Sequence, residues 1–231
     1  ISVLFILSGL AWGNYDESYT PDKKLRAVFK DISLSSLNVS TNGDDAEKVA
    51  LKAILKISKK YKLAIKKNQL EFDLKKESLL GTHYRFKQVN GTLSVKGAFV
   101  SISFDKGMKN VIKFYTTFRD VAAVGSGTKE LVRDDQAIEI AWNHSQFQGE
   151  LQELPHFELL YKNINGKEKL VYEVTFSVGE PVGTWNVTVD AKTGAIIEEL
   201  DKNIYRRHYK APKAKKAKQS LQANLKNLAL K

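Results

Sequence analysis

The chain has 231 residues, 42% hydrophobic and 27% charged, an ordinary globular composition with room for one large or two small domains. It has no cysteine, which excludes disulfides, thiolate zinc sites and cysteine nucleophiles. The formal net charge is +11, but Arg206, Arg207 and seven lysines follow Tyr205 with no Asp or Glu among them, so the basicity belongs to a tail and not to the body.

Residues 1–13, ISVLFILSGLAWG, are apolar but short of the ~20 residues that span a bilayer. They read as the remnant of a secretory signal peptide, with small residues suited to cleavage and the polar run Asn14-Tyr15-Asp16-Glu17 directly after. Residues 14–43 are mixed in character. Thr20-Pro21-Asp22 has the chemistry of a helix start, and Leu25, Val28, Phe29 and Ile32 fall on one helical side, so a loosely docked arm with a short helix is expected.

Residues 44–61 are expected to be a helix. Asp44 stands in the cap position with Glu47 three residues on, and Val49, Ala50, Ala53, Ile54, Ile57 and Tyr61 form one stripe. Leu70, Phe72 and Leu74 alternate as in an edge strand.

Residues 81–120 read as three long antiparallel strands. In the first, Tyr84, Phe86 and Gln88 share one face, and His83, Arg85 and Lys87 the other. Asn90-Gly91 predicts a type I′ hairpin turn. The apolar phase slips by one residue at Gly97, from Leu93 and Val95 to Ala98, Val100, Ile102 and Phe104, which predicts a bulge. Lys106-Gly107 reverses the chain again, and Ile112, Phe114, Thr116 and Phe118 face inward on the third strand.

Residues 123–131, around Gly125-Ser126-Gly127, read as a linker. The plan then repeats. A helix over 134–147 has Ala137, Ile138, Ala141 and Trp142 as its inner side. Strands follow with Phe157, Leu159 and Tyr161, then Leu170, Tyr172, Val174, Phe176 and Val178, then Trp185, Val187 and Val189. Asn165-Gly166 and residues 190–194 close the hairpins, Asp190 bonding nearby amides and Gly194 taking positive φ. Each half is one helix followed by an antiparallel sheet, which gives an α+β class with domains at 44–122 and 132–201 and a basic tail over 202–231.

Catalytic patterns are missing. No HExxH helix, phosphate loop or G-x-S-x-G elbow occurs, and His83, His144, His156 and His208 have no ligand spacing. Asp134-Asp135 and Glu198-Glu199 read as solvated element ends. Asn38, Asn90, Asn143 and Asn186 fit N-x-[ST], a short pattern with little information. No catalytic residue, metal ligand or cofactor is expected.

Two stretches resemble a known family. Arg85-Phe86-Lys87-Gln88, the Asn-Gly turn, Val95-Lys96-Gly97-Ala98 and Asp105-Lys106-Gly107 resemble the FTP domain of fungalysin and thermolysin precursors, with the last turn one residue tighter. Asp135-Gln136-Ala137-Ile138, Leu170-Val171-Tyr172-Glu173-Val174 and the run from Trp185 to Gly194 resemble the PepSY domain that follows it there.

The resemblance implies two cystatin-like modules, each a helix on a twisted antiparallel sheet. It implies the pro-region of a secreted or periplasmic zinc metalloprotease, which assists folding of that protease domain and inhibits it, in cis or in trans. The implied protein-binding residues are Arg85, Gln88, Tyr205, Arg206, Arg207 and His208, with Asn90, Gly91, Gly97, Asp190 and Gly194 as turn and bulge positions. Two alternatives stay open. One is a free-standing secreted inhibitor or peptide-binding protein of the same modules. The other is anionic-surface or nucleic-acid binding through the tail, against which the scarcity of aromatic residues after Tyr209 speaks.

Overall fold

The computed structural model describes residues 16–21, 23–41, 43, 45–121, 131–147, 149–179 and 182–203. The fold is mixed α/β and dominated by sheet, with two α-helices and eleven strands among the described residues. The chain divides into two compact units, Ile1–Gln88 with Ala98–Asp120, and Val89–Gly97 with Val121–Lys231. The second unit thus includes the tip of a hairpin whose arms build the first.

In the first unit the strands are β1 (Glu17–Tyr19), β2 (Leu25–Val28), β3 (Ile32–Ser33), β4 (Leu70–Ser78), β5 (Gly81–Asn90), β6 (Leu93–Asp105) and β7 (Asn110–Thr116). They run in the order β1-β2-β7-β6-β5-β4, and β3 also pairs with β7. Helix α1 (Ala46–Lys60) lays the expected stripe into the core: Val49, Ala50, Ala53, Ile54 and Ile57 cluster with Tyr84, Phe86, Val100, Ile102, Phe104 and Phe114. Burying side chains of this size stabilises by roughly 1.5–3 kcal/mol each before entropy is counted. Asp44 lies outside the described residues. Asp45 occupies the cap position and makes no side-chain capping bond.

Three expectations for strands β1 to β7 are corrected. Residues 17–33 form strands β1 to β3 in place of a helix, and Leu25, Val28, Ile32, Leu34, Leu37 and Val39 belong to the core. In β7, Val111 is buried and Ile112 is not, because the β6–β7 register shifts so that Phe104 faces Val111 and Ser103 faces Lys113. The β5–β6 turn is not type I′. Gly91 has φ +65 while Asn90 stays extended within β5, and a glycine-first central pair Gly91-Thr92 fits type II′. Gly97 has φ +71, and the burial phase changes across it.

In the second unit β8 (His156–Ile164), β9 (Lys167–Gly179), β10 (Val182–Asp190) and β11 (Ile196–Asp201) form an antiparallel meander. Val95 of the hairpin tip pairs in parallel with Tyr161 of β8. Helix α2 (Asp134–Ser145) buries Ala137, Ile138, Ala141 and Trp142 on the meander, and ends at Gln146 in the left-handed region. Trp142, Phe147, Phe176 and Trp185 stack at centroid distances of 5.0–5.5 Å. Tyr172 anchors the start of the helix, its hydroxyl donating to the Val132 carbonyl at 2.9 Å and the Asp134 carboxylate at 2.8 Å. Burial, and then the Asp134 contact, push that phenol up to about 12. In β8 Phe157 is more exposed than its expected inward place allows, and Leu160 and Tyr161 are the buried pair.

Candidate functional site

Of the residues expected to meet a partner, Arg85 is on the surface. Its β5 neighbours Tyr84 and Phe86 are buried, so alternation turns it to the opposite face, where it pairs with Asp73 and lies 5.8 Å from the Phe99 ring. Gln88 is fully buried. Its Nε2 donates to the Arg119 carbonyl at 2.7 Å, and its Oε1 accepts from the Arg119 N–H at 2.9 Å. It ties β5 to the chain just beyond β7 and presents nothing to a partner. Tyr205, Arg206, Arg207 and His208 lie outside the described residues.

The turn positions are accounted for by backbone chemistry. Asp190 Oδ1 accepts from the N–H groups of Lys192 and Thr193, and Gly194 has φ +73. Asn186 is buried and donates to Thr175, which makes it a poor glycan acceptor. His83 is held between Ser78 and Ser103, at 2.8 and 2.7 Å. Among the described residues no group of three His, Asp or Glu side chains is placed to hold a metal ion, and no helix is long and apolar enough to cross a membrane.

Local sequence gave no signal for a chain of charges on the face of the second-unit sheet turned away from α2. Glu158, Glu173, Thr188 and Glu198 are cross-strand neighbours over β8 to β11. Glu173, nearly buried, pairs with Lys96 of the hairpin tip and lies 3.0 Å from Lys162 Nζ. Lys162 also reaches Glu198 at 2.7 Å and Thr188 at 2.9 Å, and Ser94 donates to Glu158 at 2.7 Å. Burial pushes the Glu173 carboxyl up, but the two ammonium groups outweigh it and hold it below the usual carboxylate range. For Lys162 burial acts downward, and its two carboxylate partners leave it raised. Glu173 and Lys162 are therefore both held in their charged forms near neutral pH. Such a chain clamps residues 93–97 to the sheet.

Sheet edges are the other feature. Among the described residues β4 pairs with β5 alone and β11 with β10 alone, leaving a row of backbone groups on each outer side. On β4 and its turn, Phe72, Leu74, Leu79 and Leu80 are exposed, the last two at 87% and 76%.

Residues 134–200 match the family model described as "Peptidase propeptide and YPEB domain", PepSY, so this stretch is a PepSY domain. The search of curated proteins found no match. Among solved structures, the chain is similar to the Bacillus megaterium YpeB C-terminal domain at 13% identity and a TM-score of 0.31, covering 71% of this chain and 68% of that one. It is also similar to a putative lipoprotein from Clostridium difficile 630 at 16% identity and a TM-score of 0.26, covering 65% and 91%.

Proposed function

We propose that this chain is the pro-region of a secreted zinc metalloprotease, assisting the folding of the protease domain and inhibiting it until removed. The observation that carries the reading is the PepSY match over residues 134–200, a family whose description names peptidase propeptides. The FTP-like pattern in 85–107, ahead of the PepSY domain, supports it. In this reading both units are cystatin-like modules, and the protein works outside the cytoplasm.

The geometry suits a template better than a catalyst. A strand edge binds another chain through main-chain hydrogen bonds, which need no reactive centre. Binding to the native protease and not to its unfolded chain stabilises the native state by RT ln(1 + [L]/Kd). A covalent tether adds to this, setting an effective concentration in the ~mM range. Arg206 and Arg207 are proposed to steer the segment after Asp201 toward an acidic surface near the protease cleft.

The test is inhibition in trans. The chain, produced separately and mixed with the mature protease encoded beside it, slows peptide hydrolysis at about micromolar concentration, in the range of specific protein complexes. Unchanged hydrolysis at that concentration ends the reading.

A further inference from the structure

The first unit carries a strip of alternating aromatic and cationic side chains on the sheet face turned away from α1. Arg85 of β5 lies 5.8 Å from the ring of Phe99 in β6, and Phe99 lies 5.6 Å from the ring of Tyr115 in β7. Two cations share Tyr115: Arg26 of β2 is 5.7 Å from its centroid and Lys113 of β7 is 5.9 Å from it. Arg26 also donates to the Tyr115 hydroxyl at 3.4 Å, and Lys113 lies 5.4 Å from the half-exposed ring of Phe29.

The two ends of the strip differ in charge balance. Arg85 has Asp73 as a counter-ion. Arg26 and Lys113 have only aromatic partners among the described residues, so their charge is held in place but not neutralised. Two like charges gathered on one ring repel each other, and a carboxylate arriving between them relieves that repulsion.

We propose that this strip is a docking surface for an acidic, extended polypeptide segment, whose carboxylates meet Arg26 and Lys113 while its side chains lie on Phe29, Tyr115 and Phe99. The four strands β2, β7, β6 and β5 put the strip at about 14 Å across, at ~4.8 Å per strand, which is the length of about four extended residues. A continuous phosphate backbone fits less well. Asp73 stands at the β5 end, paired with Arg85, and would repel a longer polyanion running past it. The inference deepens the pro-region reading by naming a surface for its partner. Its test uses no protease, so either can fail alone.

The test is binding of fluorescent poly-L-glutamate to the full chain at about 50 mM salt, where surface charge is weakly screened. Replacing Arg26→Gln together with Lys113→Gln weakens binding about tenfold, and Lys113→Glu alone weakens it more than Lys113→Gln alone. The control Lys67→Gln with Lys76→Gln removes the same charge elsewhere on the unit and weakens binding less than twofold, by about the screened long-range share. Equal losses in the two double variants overturn the proposal, since they would report net charge or the basic tail. It is also overturned if single-stranded DNA loses affinity in the Arg26/Lys113 variant while poly-L-glutamate does not.

Discussion

The side-chain amide of Gln88 forms a closed two-bond pair with the backbone of Arg119, donating at 2.7 Å and accepting at 2.9 Å. The pair is buried on the Gln88 side and fixes the chain just beyond β7 to β5. Gln88→Leu keeps the volume but leaves the Arg119 N–H and carbonyl without these partners. The expected loss is about 1–3 kcal/mol, seen as a lower urea midpoint with an unchanged slope.

Gly81 has no room for a side chain. A Cβ there would stand 1.8 Å from the carbonyl oxygen of Phe104, a backbone atom that cannot swing aside, and φ is +150. Gly81→Ala is expected to cost about 3 kcal/mol or more. Gly43 is the contrast: φ is also positive, but nothing lies within 4 Å, so Gly43→Ala costs only ~1 kcal/mol of backbone strain. Thermal unfolding of the two variants side by side separates steric overlap from conformation.

Glu173 holds the hairpin tip through Lys96 and is itself held by Lys162. Glu173→Gln leaves the well-covered Lys162 with Glu198 as its one carboxylate partner among the described residues, beside the Thr188 hydroxyl. Lys96 is half exposed and loses little, so the whole change is put at about 1–2 kcal/mol. Amide exchange in residues 93–97 should quicken more than in α2. Because the carboxyl is depressed in the folded state, the clamp is complete above the ordinary carboxylate range and is lost as pH falls below it.

Glu17 gives the first unit a distinct acid response. Its carboxylate accepts from Lys30 and Tyr61 at one oxygen and from Tyr19 at the other, all at 2.7 Å. The bonds from Lys30, Tyr19 and Tyr61 lower its pKa from 4.5 to about 2. A folded pKa below the unfolded one stabilises fully above 4.5, and that contribution drains away as pH drops toward 2. Glu17→Gln should therefore lower Tm at pH 7 and narrow the difference between pH 7 and pH 3. Parallel Tm–pH curves for the two proteins would refute this.

Much of the architecture was legible because it is periodic. The α1 stripe, the Tyr84-Phe86-Gln88 alternation and the slip at Gly97 each follow from one regular element meeting one core. Residues 17–33 were misread for the same reason. Leu25, Val28, Phe29 and Ile32 fit a helical period, yet they lie on short strands where no run is long enough for a period of two to show. Ile112 was misplaced by a register shift that sequence does not announce. The site was less legible. The Lys96–Glu173 pair joins residues 77 apart, and Arg26 and Tyr115 meet only because β2 lies beside β7. No local pattern records either.

The assignment of residues 89–97 to the second unit has a mechanical consequence. The backbone crosses between the two units after Gln88, after Gly97 and after Asp120. A protease that nicks the 121–131 stretch therefore leaves residues 89–97 joined to the first unit's chain, and the rest of the second unit stays on that tip only through non-covalent contacts such as Val95 with Tyr161 and Lys96 with Glu173. A denaturing gel after such limited digestion would show two fragments that still migrate together on a native one, until that small set of contacts is broken.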